Sequence, residues 1–249
     1  EGISYNQDTI NTLAETYYAS TFQGQMGDAA FTQALRDWLN EQTGGLLQDQ
    51  IGELTLDRQT ILALATTIYF RAKWAGEFRE ENTVQGIFYG VTDDETVDFM
   101  RKKITSSYYW GENFGAVGLS LANGAGSMWF LLPDEGVSPE GLLQDAQAMD
   151  FLRSHGAWEQ SKRLSINVSI PKFDVSSQLD LLEGLAMLGV TDVTNPNQSN
   201  FAPLVAEPMD DPVVLSEAKH GVRVAIDEEG LTAAAYTVMA TDTSSAMPP

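Results

Sequence analysis

The chain has 249 residues, no cysteine and only two histidines. Without cysteine there are no disulfides, no thiolate nucleophile and no cysteine-ligated metal site. The histidines, His155 and His220, stand far apart in sequence, which disfavours a histidine-based metal site. Cations are scarce as well: 14 Lys and Arg against 35 Asp and Glu give a net charge of -21. A field of that sign repels nucleic acid and anionic lipid headgroups, so neither is expected as a partner. The longest apolar run, Ile61 to Phe70, is too short to cross a bilayer, so no membrane span is expected. No signal-peptide pattern precedes the first helix, and an opening at Glu1 rather than Met suggests a processed or trimmed chain.

Catalytic signatures are absent too. There is no G-x-S-x-G elbow, no P-loop and no G-x-G-x-x-G after a strand. Asp93-Asp94-Glu95 and Asp227-Glu228-Glu229 read as turns or surface runs rather than calcium sites. The expectation is a protein that is not an enzyme and needs no cofactor and no metal.

What is present is an ordinary globular balance, 43% hydrophobic and 20% charged. Asp8 can cap a helix carrying Ile10, Leu13, Ala14, Tyr17 and Tyr18; Asp28 can cap a second carrying Phe31, Leu35, Trp38 and Leu39, ended by Thr43-Gly44-Gly45. Ile61 to Phe70 reads as a strand buried on both faces. Further strands are expected at Val117/Leu119/Leu121, at Ser127 to Leu132, at Leu164 to Ile170, and at Val222/Val224/Ile226. Ser138-Pro139 opens a helix, and Leu179, Leu182, Leu185 and Leu188 mark another. With no repeat and no composition break, the pattern is α+β with antiparallel strands.

One segment stands apart. Leu231 to Thr241 carries no charge and no proline, its alanines favour helix, and its Thr, Val and Tyr favour strand. Pattern alone leaves it either a segment able to occupy two states or an ordinary strand or tail.

Glu228-Glu229-Gly230 followed by Ala233-Ala234-Ala235 resembles the reactive-loop hinge of the serpins. Tyr69-Phe70-Arg71-Ala72-Lys73-Trp74 with Phe78 is similar to another family stretch, as are Phe130 to Gly136, Ile170-Pro171-Lys172-Phe173, Leu185 to Asp192 and Leu215 to His220. The ordered set covers most of the chain. The resemblance implies a fold of three β-sheets with surrounding helices and a reactive-centre loop. It makes residues 1–249 part of a single serpin domain, with hinge and loop at 227–249. The N-terminal helices and C-terminal strands are missing from the stretch it covers, so a fragment, or a cleaved chain whose remaining segments are separate chains, is expected.

The resemblance further implies a serine protease inhibitor that acts as a suicide substrate. A protease attacks the loop, an acyl-enzyme forms, and the loop enters the main sheet as a new strand. Fourteen steps from Gly230 put the reactive bond at Ser244-Ser245, with Ser245-Ala246 as the alternative. At about 3.3 Å per residue the inserting strand is on the order of 46 Å long. Counting alternately from Leu231 assigns Leu231, Ala233, Ala235, Thr237, Met239 and Thr241 to the core side. No Lys or Arg occurs after Leu231, so elastase-like or subtilisin-like targets are expected. The hinge spans Glu228, Glu229, Gly230, Leu231, Thr232, Ala233, Ala234 and Ala235. By position Trp74 and Lys172 belong to the family's breach, Lys172 pairing with Glu228, and His220 to its shutter, where Thr66 replaces the usual asparagine partner. Leu231 stands where inhibitory members carry Thr or Ser, which keeps a non-inhibitory carrier, chaperone or storage role as the alternative. An acidic, cysteine-free chain fits a bacterial and secreted, extracellular member.

Overall fold

The structure is a computed structural model that describes residues 3–90 and 92–243. The chain divides into two compact units, one of Glu1–Tyr69, Val175–Arg223 and Ala233–Pro249, the other of Phe70–Asp174 and Val224–Thr232.

In the first unit α1 (Gln7–Tyr17) is capped by Asn6, whose side chain accepts from the Asp8 amide. The cap therefore sits two residues before the expected Asp8. Helix α2 (Ala29–Gln42) begins as read, with Asp28 accepting from the Ala30 and Phe31 amides. A short α3 (Gln48–Gly52) follows. Leu39, Leu47, Ile51 and Leu54 from this helical layer form the unit's apolar core.

Four long strands lie beside it. They are β1 (Thr60–Lys73), β7 (Phe173–Asp180), β8 (Val213–Ile226) and β9 (Gly230–Thr243), hydrogen-bonded in the order β1-β9-β8-β7. Strand β1 is where the run from Ile61 to Phe70 was expected, but it is covered on one face only. Leu64 is 47% and Ile68 67% exposed. Leu179 falls in β7, and α6 is confined to Leu182–Met187.

The second unit is built on β3 (Asp94–Trp110), a 17-residue strand. Its start pairs with β2 (Val84–Tyr89), its end with β4 (Phe114–Ser120), and Phe99 to Tyr109 pair with β6 (Ser161–Pro171). Strand β5 (Ser127–Pro133) completes the sheet through β4. These five strands form one sheet. Asp94 and Glu95 open β3 and are exposed, a surface run rather than a turn.

Ser138 accepts from the Gly141 amide to start α4 (Pro139–Gln144), and α5 (Ala146–Arg153) follows. Phe151 of α5 meets Trp129 edge-on at 5.3 Å and Trp158 at 5.6 Å, beside Phe114 and Tyr109. A second cluster gathers Trp74, Phe78, Met100, Leu119, Leu121, Val168, Ile170 and Ile226.

Candidate functional site

Strand β9 is the segment that the sequence singled out, and it occupies the interior of a sheet, between β1 and β8. A hydroxyl bond ties it to each neighbour: Thr241 Oγ1 donates to the Leu62 carbonyl, and Ser216 Oγ donates to the Ala240 carbonyl at 3.1 Å.

The turn into β9 is fixed by Asp227. Its Oδ1 accepts from the Glu229 amide at 2.9 Å and from the Gly230 amide at 3.0 Å, while its own amide donates to the Gly230 carbonyl. This is an Asx-type turn, the local hydrogen bonding that suits Asp at such corners. Trp74, only 2% exposed, donates its indole N–H to the Asp227 carbonyl at 2.8 Å. The Trp74 and Phe78 amides donate to the Glu229 and Glu228 carbonyls. Gly230 is a glycine for a steric reason: a Cβ there would lie 2.1 Å from the Ala72 carbonyl oxygen and 2.8 Å from the Lys73 Cα. Only hydrogen fits against that backbone.

Glu228 is not a surface residue, contrary to the reading of the acidic run; it is 8% exposed. One carboxylate oxygen accepts from Lys172 Nζ at 2.8 Å, and the other from Thr83 Oγ1 at 2.7 Å. Burial alone would push the carboxyl up, but the bonds from Lys172 and Thr83 outweigh it and hold Glu228 below the usual glutamate range. The same bond to Glu228 holds the Lys172 ammonium above its ordinary value. This pair is therefore worth more than the exposed contact expected from sequence. Glu229 faces out and, among the described residues, its side chain pairs with Lys73 at 3.6 Å, between two well-exposed side chains.

Further along β9 the burial alternates in the opposite register to the one expected. Ala234, Tyr236, Val238 and Ala240 are buried, whereas Ala233, Ala235, Thr237 and Met239 are half-buried. The first three of the buried set belong to the cluster of Leu39, Leu47, Ile51 and Leu54, so helices α2 and α3 decide which face is sealed. Sequence alone gives no hint that the helical layer lies on that side. Thr241 is the exception, buried although it belongs to the other register. Leu231 is half-buried against the Trp74 cluster, so its bulk is accommodated. Thr232 is also half-buried.

Tyr236 is 1% exposed, and its hydroxyl accepts from Gln178 Nε2 at 3.3 Å. Its ring has room because residue 221 is glycine: a Cβ at Gly221 would lie 2.3 Å from it.

His220 Nδ1 lies 2.9 Å from Thr237 Oγ1, so the histidine is hydrogen-bonded to β9 itself. Thr66 is exposed, and no hydrogen bond joins it to His220 among the described residues. Ser244, Ser245 and Ala246, the reactive-bond candidates, lie outside the described residues. Sequence reading missed Thr83, Gly221 and the pairing of Thr237 with His220. Only Gly221 carries a signal, a glycine inside an alternating strand, which often marks close approach.

A protein-family model described as Serpin (serine protease inhibitor) matches residues 1–249. Mouse Serpin B12 is 29% identical over 237 residues, covering 93% of this chain and 55% of the relative. Leukocyte elastase inhibitor from Xenopus laevis is 29% identical over 244 residues, covering 93% of this chain and 64% of the relative. The solved structure of ovalbumin from emu superposes with a TM-score of 0.87 at 23% identity, over 99% of this chain and 64% of that one. The chain thus spans between half and two thirds of the length of the relatives it matches.

Proposed function

This chain belongs to the serpin family, and from that premise we propose that the whole protein is not an enzyme but a suicide-substrate inhibitor of serine proteases. The observation that carries the reading is the position of β9 between β1 and β8. A segment that a protease can cut must be exposed before cleavage, whereas here it is the inner strand of a sheet with Tyr236 and Val238 buried. Moving from the first condition to the second gains a hydrogen-bond ladder on both edges and buries apolar area. That gain supplies the drive that pulls a covalently attached protease away from its bound position.

The absence of Lys and Arg from Leu231 to Pro249, with small residues at 244–246, supports a protease with a narrow apolar primary pocket, elastase-like or subtilisin-like. One relative is itself named leukocyte elastase inhibitor.

The competing reading, a non-inhibitory member, draws on Leu231. Its packing against the Trp74 cluster weighs against that reading, since the inserted strand half-buries the leucine against apolar partners. The deciding experiment mixes the full-length protein with an elastase and runs a denaturing gel. A band heavier by the mass of the protease supports inhibition; cleavage without that band refutes it.

A further inference from the structure

Six of the 14 cations of this acidic chain sit on two paired strands and the residue just after them: Arg101, Lys102 and Lys103 on β3, Lys162 and Arg163 on β6, and Lys172. The register sorts them by face. Arg101 stands opposite Ser169, Lys103 opposite Asn167, Thr105 opposite Ser165, and Ser107 opposite Arg163. These residues share one side of the sheet, and all are exposed except the half-buried Ser107. The alternate residues Met100, Val168 and Ile170 are buried in the Trp74 cluster on the other side.

No Asp or Glu occupies the cationic face of β3 from Val97 to Tyr109 or of β6 from Ser161 to Pro171. The first carboxylate on that face, Glu95, is about 20 Å along the strand from Arg101. None of Arg101, Lys103 and Arg163 enters an ion pair among the described residues. A flat surface of unpaired cations, hydroxyls and an amide cannot be sealed under an apolar layer without a large desolvation cost. On a chain with a charge of -21 it is a local reversal of sign.

We propose that this face of β3 and β6, centred on Arg101, Lys103 and Arg163, is a second docking surface for the target protease and takes an acidic patch on it. The inference rests on the inhibitor reading given above. Placement supports it: Ser169 lies three residues before Lys172, which bridges to Glu228 at the start of the loop. The loop therefore begins beside this face. The three cations spread over about 20 Å of strand, the width of a protein contact patch rather than a single-ion pocket. An acidic patch on a partner suits the surface better than a long polyanion, which the whole-chain charge repels. Because insertion then removes the protease from this region, the face acts on encounter and leaves the final complex unchanged.

The test compares the full-length protein with its R101Q/K103Q/R163Q variant, using an acidic subtilisin-family protease that cleaves after small residues. At about 50 mM salt the variant is expected to associate about tenfold more slowly, with the gap closing near 0.5 M as the charges are screened. The final yield of denaturant-stable complex should be the same in both. A gain-of-charge variant, Ser165→Lys, should associate faster by about twofold or more at low salt. Equal rates for all three proteins at low salt would overturn the proposal. Equilibrium binding of the same protease with its nucleophile removed judges the face independently of inhibition. If no stable complex forms but the inactive protease still binds the wild type about tenfold more tightly than the triple variant, the inhibitor reading fails and the docking face stands. Equal affinities overturn the docking face. Dextran sulfate is the polyanion control: wild-type binding of it that the triple variant loses, with unchanged protease affinity, would overturn the protein-surface assignment.

Discussion

Replacing Tyr236 with alanine separates the state with β9 in the sheet from the state with it out. The ring is 1% exposed and packs among Leu39, Leu47, Ile51 and Leu54 in a space held open by Gly221. Removing a fully buried aromatic costs about 3–5 kcal/mol, from lost transfer energy and the cavity left behind. The hydroxyl contributes little of that, since its one bond, from Gln178, is long at 3.3 Å. Tyr236→Phe should therefore cost only about 1 kcal/mol.

On the proposed mechanism these losses belong to the inserted strand alone, because on an exposed loop the same side chain has no partners to lose. The assay is urea unfolding of the full-length protein before and after a single cut in the loop. Tyr236→Ala should lower the midpoint of the cut form by on the order of 1 M, taking a slope of up to about 3 kcal/mol per molar. The uncut form should move by less than about a fifth of that. An equal fall in both forms would refute the reasoning, because it would mean that Tyr236 is already buried before cleavage.

Other consequences follow from the turn and its anchor. Gly230→Ala forces a methyl to 2.1 Å from the Ala72 carbonyl oxygen; β9 should then enter slowly or incompletely, so that a gel with elastase shows more cut inhibitor and less complex. Lys172→Met leaves a buried carboxylate with no cation beside it, held by Thr83 and a backbone amide, and unfolding should show a loss of about 1–3 kcal/mol, reduced from the fully buried case because Lys172 is partly exposed. The pH dependence has a definite sign. Glu228 is held below its ordinary value, so its contribution is present above about pH 4.3 and lost as pH falls through the depressed folded value. Lys172 is held above its ordinary value, so its contribution is complete below about pH 10.4 and lost as pH rises past the raised value. Glu228→Gln should flatten the acid limb of a stability-versus-pH curve; an unchanged limb would assign the acid loss to other carboxylates.

Legibility in the sequence follows the physics of each feature. Helix α2 was readable because Asp28, an apolar stripe and Thr43-Gly44-Gly45 are all local signals. Strand β3 was not, since Arg101, Lys102 and Lys103 in a row mask the alternation that Met100 and Ile104 would otherwise carry. The turn before Gly230 falls where the resemblance expects a hinge, but the faces of β9 were not legible. A strand from 231 to 241 without a charge offers no polarity contrast between its two sides, so burial is decided by α2 and α3, far away in sequence. The Lys172 and Glu228 pairing could be inferred by position, whereas Thr83 sits after an acidic loop with nothing around it to mark a buried bond.

The anchor and the strand divide the chemistry between them. Residues 227–229 are held by polar, directional bonds: the Asp227 side chain closes the turn, the Trp74 indole N–H holds its carbonyl, and Lys172 and Thr83 hold Glu228. From Ala233 to Ala240 the side chains are small or apolar apart from Thr237, and most of their partners are apolar too. Directional bonds fix one register, whereas apolar contacts tolerate sliding. On the proposed mechanism, a strand that adds residue by residue from Gly230 is placed in register by its first turn, and each later residue adds backbone bonds without having to choose a partner. His220 with Thr237 is the shorter of two polar side-chain checks midway, the other being the 3.3 Å bond from Gln178 to Tyr236. On this argument Thr237→Val, which removes that check while keeping the volume, should leave the start of insertion unchanged and slow its completion. A fluorophore midway along β9 would report the delay, and one near Gly230 would not; delay at both positions would show that register is not set at the turn.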